Sequence, residues 1–337
     1  MNKKIQATFF AVLAACLYAM NIPLSKEFLV SNGPMMMAGF LYLGAGLGIG
    51  GIYLLRGKQE GNLLSREDLP YTLGMICLDI LAPILLMMGL TRTKSANAAL
   101  LNNFEIVATT LIAWVVFKEK ISKLLGLAIF FITLSSGLLS FEGQESLEFS
   151  WGSLLILLAS LSWGFENNCT RQISHKNTLE IVAIKGICSG LGSIFLGIWL
   201  AESFPRPDDL GKILILGFLA YGLSIFFYIK AQEEIGAAKT SAWYALAPFV
   251  AVALSMVFLK ENLTGQFFLA LGVMILGSSL VVLDTLKKAH SHQHQHLVYT
   301  YNHGHITRKV ISHSHPHHHY GQGHHHQHFH GGRLKKS

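Results

Sequence analysis

PMMMAGFLYLGAGLGIGGIYLL, residues Pro34–Leu55, runs for 22 residues without Asp, Glu, Lys, Arg or His. A helix needs roughly 20 apolar residues to cross an ~30 Å hydrocarbon core. Nine further segments fit the same length: 5–25, 70–90, 96–117, 123–141, 151–170, 180–201, 210–230, 239–259 and 264–284. Charged residues fall mostly in the short gaps between them. A soluble α/β core would show apolar runs of about 4–8 residues instead. The pattern predicts an all-α integral membrane protein with ten transmembrane helices.

Composition agrees. Charged residues make up 13% of the chain, against ~25% in soluble domains. Lys and Arg number 26 against 19 Asp and Glu, but seven of the basic residues follow Asp284 and no acidic residue does. Up to Asp284 the balance is 26 − 7 = 19 basic against 19 acidic. The main body is neutral, which excludes nucleic acid as its partner. Cys16, Cys77, Cys169 and Cys188 all lie within predicted spans and form no CxxC pair, so neither a disulfide framework nor a zinc knuckle is expected. Lys3-Lys4 followed by Leu13-Ala14-Ala15-Cys16 imitates a lipoprotein signal. The apolar run continues through Leu17-Tyr18-Ala19-Met20, so the reading is an uncleaved first helix.

The N-terminus and loops 2–3, 4–5, 6–7 and 8–9 carry twelve Lys and Arg; the opposite loops carry six. The positive-inside rule then predicts cytoplasmic termini. Leu13-Ala14-Ala15-Cys16-Leu17-Tyr18 matches Leu158-Ala159-Ser160-Leu161-Ser162-Trp163, and Phe117-Lys118-Glu119-Lys120-Ile121-Ser122 matches Leu259-Lys260-Glu261-Asn262-Leu263-Thr264. The offsets are 145 and 142 residues. Five spans per repeat is odd, so the second repeat enters from the opposite side. Inverted repeats with a site near the midplane mark secondary transporters.

Ala96-Asn97-Ala98-Ala99-Leu100-Leu101 opens the fourth segment and Trp114-Val115-Val116-Phe117-Lys118-Glu119 closes it. Gly236-Ala237-Ala238-Lys239-Thr240-Ser241 and Ala247-Pro248 follow in the second half. In this order and spacing the chain resembles the EamA branch of the drug/metabolite transporter superfamily over about residues 5–284. The resemblance implies ten helices, cytoplasmic termini and transport, often export, of a small metabolite. It leaves the substrate unspecified and does not explain the tail.

An ionisable residue inside a span costs a few kcal/mol or more, so it faces a cavity or a partner. Glu105 lies mid-span with Asn102 and Thr109 on the same helix face, a path for a proton or cation or an ion pair locking two helices. Glu166 and Asn167 end the sixth segment, with Asn168 beside them. Asn21-Ile22-Pro23 holds the equivalent place in the first, where Pro23 is expected to bend the helix. Asp79 and Lys185 complete the ionisable set, and Lys185 needs a carboxylate partner among Glu105, Glu166 and Asp79. Trp243 and Tyr244 could stack on a substrate or anchor the interface. Gly44, Gly46, Gly48, Gly50, Gly186 and Gly190 form GxxxG patterns suited to close helix packing.

Sixteen of the 17 histidines lie between His290 and His330. His292, His294, His296, His303, His305, His313, His315, His317, His318, His319, His324, His325, His326, His328 and His330 are the candidate metal ligands. Imidazole suits Zn, Ni and Cu, and the polar low-complexity composition predicts disorder. No P-loop is present, so ATP-driven pumping has no support, and no hydrolase or kinase signature points to an enzyme.

The expected organisation is a five-helix repeat over 1–141, a loop over 142–150, a second repeat over 151–284 and a His-rich cytoplasmic tail over 285–337. The expected function is secondary transport of a small organic metabolite, most simply export across the cell membrane. No cofactor is required, the lipid bilayer is the solvent, and divalent metal is the tail's partner. A metal-ion or metal-regulated transporter, and a membrane receptor or scaffold that transports nothing, are the alternatives.

Overall fold

A computed structural model describes residues 3–55, 63–142, 148–174, 176–288, 291–302 and 305–316. The helices run α1 (Lys3–Ala19), α2 (Asn21–Phe28), α3 (Pro34–Leu55), α4 (Leu69–Leu90), α5 (Ser95–Leu101), α6 (Phe104–Phe117), α7 (Lys123–Ser140), α8 (Trp151–Gln172), α9 (Thr178–Trp199), α10 (Pro207–Gly217), α11 (Ser224–Ile235), α12 (Ala237–Tyr244), α13 (Ala247–Phe258) and α14 (Gly265–Lys288). A two-residue strand pair, β1 (Phe141–Glu142) and β2 (Glu148–Phe149), flanks the linker between the halves. Residues 143–147 of that linker lie outside the described residues.

Among the described residues, nine helices, counted across their breaks, are long and apolar enough to cross a membrane. Helix α8 is as long as most, at 22 residues, but Glu166, Asn167, Asn168 and Arg171 make its second half polar. The outer faces of the bundle are apolar. Phe195, Ile198 and Trp199 on α9 are 69%, 53% and 74% exposed, a surface that suits lipid rather than water.

Local sequence fixes the helix ends. Ser122 caps α7 by accepting from Leu125 N at 3.1 Å, and Asn177 caps α9 by accepting from Leu179 N at 3.0 Å and Glu180 N at 3.1 Å. Lys118 after α6 and Lys260 after α13 both sit in the left-handed region, with φ of 53° and 49°. They hold the same place in the two repeated Lys-Glu motifs.

Three interior breaks interrupt the spans, and a π-helical stretch, Phe218–Leu223, joins α10 to α11 within a single span. The first lies between α1 and α2 at Met20. Pro23 has no N–H for the carbonyl of Ala19, so the turn opens just upstream of the proline. The second is Asn102-Asn103 between α5 and α6, and the third is Ala245-Leu246 between α12 and α13. Of the two equivalent places in the first and sixth spans, only Asn21–Pro23 adjoins a break. Helix α8 runs unbroken through Glu166–Asn168 to Gln172, because these side chains find partners without opening the helix. The fourth and ninth spans are the matched broken pair.

Helix α3 packs along α9, α4 along α8, and α11 along α1. A Cβ on Gly186 would lie 2.5 Å from the Cα and N of Gly46, so α3 and α9 touch backbone to backbone. Gly44 and Gly48 serve a different seam: a Cβ there would meet Leu214 O at 2.2 Å and the Phe218 ring at 2.0 Å. Met36, Met37, Leu41, Leu86, Met87 and Leu100 fill the core between these seams.

The chain divides into two units, 1–285 and 286–337. In the second, β3 (Ser291–Asn302) and β4 (His305–Pro316) pair antiparallel, with His292 opposite His315 and His294 opposite His313 in register. Leu297-Val298-Tyr299-Thr300-Tyr301 and Ile306-Thr307-Arg308-Lys309-Val310-Ile311 are runs of β-branched and aromatic residues, which favour strand. His303 and the proposed ligands from His317 to His330 lie outside the described residues. Among the described residues no group of three or more His, Cys, Asp or Glu is placed to hold a metal ion.

Candidate functional site

A cavity of about 500 Å³ lies inside the helical unit, lined from both halves of the chain. This volume is in the range of small-molecule sites. The breaks at Asn102-Asn103 and at Ala245 border it. Only Val281, Val282 and Thr285, near the C-terminal end of α14, contribute from that helix. The cavity is thus displaced toward the end of the bundle where α14 finishes.

The ionisable side chains converge. Lys185 Nζ on α9 is 2.9 Å from Asp79 Oδ2 on α4 and 2.9 Å from Glu166 Oε1 on α8. Asp79 is wholly buried, and its Oδ1 accepts from Tyr42 OH at 3.1 Å. Tyr42 OH in turn accepts from Trp163 Nε1 at 3.3 Å. Thr170 donates to Glu166 Oε1. The carboxylate partner that Lys185 required is therefore a pair, Asp79 and Glu166. Breaking such a buried group is costly, because the survivors keep their charge without compensation.

Glu105 stands apart from that group. Its Oε1 accepts from Asn167 Nδ2 at 2.7 Å, and the same Nδ2 lies 3.2 Å from Thr109 Oγ1. Asn168 Nδ2 donates to Thr109 O at 3.1 Å and to Gly164 O at 2.8 Å. Glu105 and Thr109 both meet Asn167 of α8, whereas Asn102 stands in the break before α6 and its Nδ2 lies 3.4 Å from Tyr18 OH. Glu105, Asn102, Asn167, Glu166 and Lys185 line the cavity; Thr109 and Asp79 stand behind as partners.

Tyrosines form a further stretch of the wall. Ring centroids are 5.2 Å apart for Tyr42–Tyr221, 5.9 Å for Tyr18–Tyr221, 5.6 Å for Tyr18–Tyr244 and 5.1 Å for Tyr228–Tyr244. Asn21 supports this wall from behind, donating to Tyr221 OH at 2.7 Å. Tyr244 lines the cavity as expected of a stacking residue, but Trp243 does not: it is 41% exposed on the other face of α12. Adjacent residues on a helix point about 100° apart, so the two cannot both face inward. Sequence reasoning missed Tyr18, Tyr42, Tyr221 and Tyr228. Membrane tyrosines concentrate at the interfaces, so Tyr18, Tyr42 and Tyr221, deep in their spans, carried a readable signal.

The end of the bundle away from the cavity is tied shut. Glu261 Oε1 and Oε2 accept from the backbone N–H groups of Ser95 at 2.6 Å and Ala96 at 2.9 Å. Ser95 Oγ meets Ser255 Oγ at 2.8 Å, and Lys94 donates to Asn262 O. These contacts join the start of α5 to the end of α13. At the other end Glu119, the matching residue of the first repeat, pairs with Arg171 instead.

Comparison with known proteins gives one family twice. The EamA-like transporter family matches residues 5–141 and again 150–283. An uncharacterized transporter of Methanothermobacter thermautotrophicus is 23% identical over 276 residues, covering 74% of this chain and 78% of that protein. The uncharacterized inner membrane transporter YedA of Escherichia coli K12 is 28% identical, covering 74% of this chain and 82% of its own. An S-adenosylmethionine/S-adenosylhomocysteine transporter of Chlamydia muridarum is 23% identical over 82% of this chain and 91% of its own. A protein of known crystal structure shares the fold, with a TM-score of 0.62 at 16% identity over 83% of this chain and 97% of that one. With both halves of the helical unit matched, this chain belongs to the EamA-like transporter family.

Proposed function

We propose that this chain is a secondary transporter that exports a small organic metabolite across the cell membrane through the central cavity. The observation that carries the reading is the buried Asp79–Lys185–Glu166 group at the wall of a cavity built from both family-matched halves. Such charge in a membrane interior is expensive unless it serves a path. The chlamydial relative named for S-adenosylmethionine and S-adenosylhomocysteine supports an organic substrate. A dedicated metal-ion path has less support, because two of the three carboxylates are already engaged by Lys185. Purified protein in sealed proteoliposomes should release a subset of a loaded metabolite mixture faster than protein-free vesicles. Identical release from both would sink the reading.

We read the two matched segments as inverted repeats, with both termini cytoplasmic. Exchanging span one with six and three with eight maps the α4–α8 contact onto the α11–α1 contact, which supports the inversion. A reporter fused after Leu286 that is active only outside the cytoplasm should stay silent; strong activity there would overturn the orientation.

On this reading the Glu261 contacts are the closed outer gate and the cavity belongs to the inward side. With Cys16, Cys77, Cys169 and Cys188 changed to alanine, a cysteine at Ala99 in the cavity should label slowly from outside. Glu261→Ala should speed that labelling by about a hundredfold or more, since two hydrogen bonds to a charged acceptor are lost. Unchanged labelling would show that Glu261 is not part of the gate.

The histidine tail is proposed to bind Zn, Ni or Cu independently of transport, supported by its sequence composition. Truncation after Lys288 should remove zinc binding measured by calorimetry and leave release from proteoliposomes intact. Loss of release by a normally inserted truncated protein would favour a metal-regulated transporter.

A further inference from the structure

We propose that the cavity selects an organic cation, with an ammonium-type charge held at Glu105 and a flat apolar body against the tyrosine wall. This rests on the reading of the cavity as the transport site.

The charge distribution argues first. Among the described residues, the only basic side chain lining the cavity is Lys185, and it already meets both Asp79 and Glu166 at 2.9 Å. That trio carries two carboxylates against one ammonium. Glu105, also on the wall, has only the neutral amide of Asn167 as its hydrogen-bond donor. Among the described residues the site therefore sets three carboxyl groups against one ammonium, with no uncommitted basic side chain on its wall. An anionic substrate would find no counter-charge here, and low-dielectric surroundings would sharpen the repulsion. A cationic substrate would supply what Glu105 lacks.

The neutral groups agree with this sign. Asn102 lines the cavity three residues before Glu105, and its buried Oδ1 has no hydrogen-bond partner. A carbonyl oxygen beside a carboxylate gives two acceptors for the N–H groups of an ammonium. Tyr18, Tyr221 and Tyr244 supply aromatic surface in one contiguous cluster, with neighbouring centroids 5.6–5.9 Å apart. Aromatic faces attract cations through the ring quadrupole and also cover a flat apolar body. Carboxylate, carbonyl and aromatic faces together describe a receptor for a cation.

The test varies charge on one aromatic body. Tyramine is the cation, tyrosine the zwitterion and 3-(4-hydroxyphenyl)propionate the anion. Binding to the full chain in detergent is measured by calorimetry and by the shift in melting temperature. Tyramine should bind best and the propionate least. Glu105→Gln should weaken tyramine by about tenfold or more, the loss of one charge-assisted hydrogen bond, while Glu105→Asp keeps most of the affinity. The Asp variant guards against reading a folding defect as a binding defect. The assignment is overturned if the propionate binds as tightly as tyramine, if Glu105→Gln binds tyramine like the parent, or if none of the three binds. Saturable transport of the propionate in proteoliposomes would overturn the charge class and leave the transport reading standing. Absence of transport for every loaded solute would instead remove the transport reading itself.

Discussion

Lys185→Met should abolish transport and destabilise the protein by about 3 kcal/mol, the lower end expected when one partner of a buried ion pair is removed. The lower end applies because Lys185 is 21% exposed to the cavity, whereas the side chains of Asp79 and Glu166 are 0% and 2% exposed. Removing the ammonium leaves two carboxylates that were both 2.9 Å from it. Asp79 Oδ2 has no other hydrogen-bond partner. The damage should also spread through Tyr42, which donates to Asp79 and receives from Trp163 at the cavity wall. Thermal unfolding in detergent measures the stability part, and release from proteoliposomes measures the functional part. A double variant, Lys185→Met with Asp79→Asn, separates the two. It removes the worst of the uncompensated charge, so the melting temperature should partly recover. Transport should not recover, because the charge pattern of the cavity has changed. Double-mutant comparison is apt here because the residues touch and their effects will not add. A single variant that melts and transports like the parent would show that the trio is not the structural centre of the site.

The helices were legible in the sequence because a bilayer demands long apolar runs, and the chain provides them with few charges inside. Helix α8 shows the cost of that criterion. Residues 151–170 match the other segments in length, but the helix is more polar than the nine candidate spans, and its polar half builds the site. The need of Lys185 for a carboxylate was legible from the expense of burying a charge. Which carboxylate was not, because the register between α4, α8 and α9 is set elsewhere. Glycines along these helices, among them Gly89 against Gly152, fix that register, and their contacts cross more than 60 residues of chain. The Asn102-Asn103 break was hidden for a related reason. Nothing in the pair forbids a helix, unlike Pro23, and the break depends on packing at the cavity. The tyrosine wall draws on α1, α3, α11, α12 and the π-helical stretch before α11. No local pattern records that convergence, although the depth of Tyr18, Tyr42 and Tyr221 within their spans hinted at it.

Gly186→Val should leave little folded protein, and Gly186→Ala should lower the melting temperature and slow transport together. A Cβ at Gly186 would meet Gly46 Cα and N at 2.5 Å and Tyr42 O at 2.8 Å. All three are backbone atoms in the facing helix α3, so no side-chain rotation can relieve the clash. The helices must separate, and overpacking of this kind costs about 1–3 kcal/mol for a small addition. Valine adds two further methyl groups at the same point and its χ1 is restricted in a helix. The functional effect follows from position. Lys185 precedes Gly186 on α9, and Tyr42 lies on the opposing turn of α3. Pushing α9 away from α3 therefore pulls Lys185 and Tyr42 apart, although both must reach Asp79. Gly126→Ala is the control, since a Cβ there meets nothing within 4 Å. That change removes a helix-interior glycine at no steric cost and should hold or raise the melting temperature, by up to about 1 kcal/mol in stability. Size-exclusion yield and thermal unfolding of the variants decide the matter. A Gly186→Ala protein that melts with the parent would mean that α3 and α9 are not in backbone contact, and the alignment of Lys185 with Asp79 would need another cause.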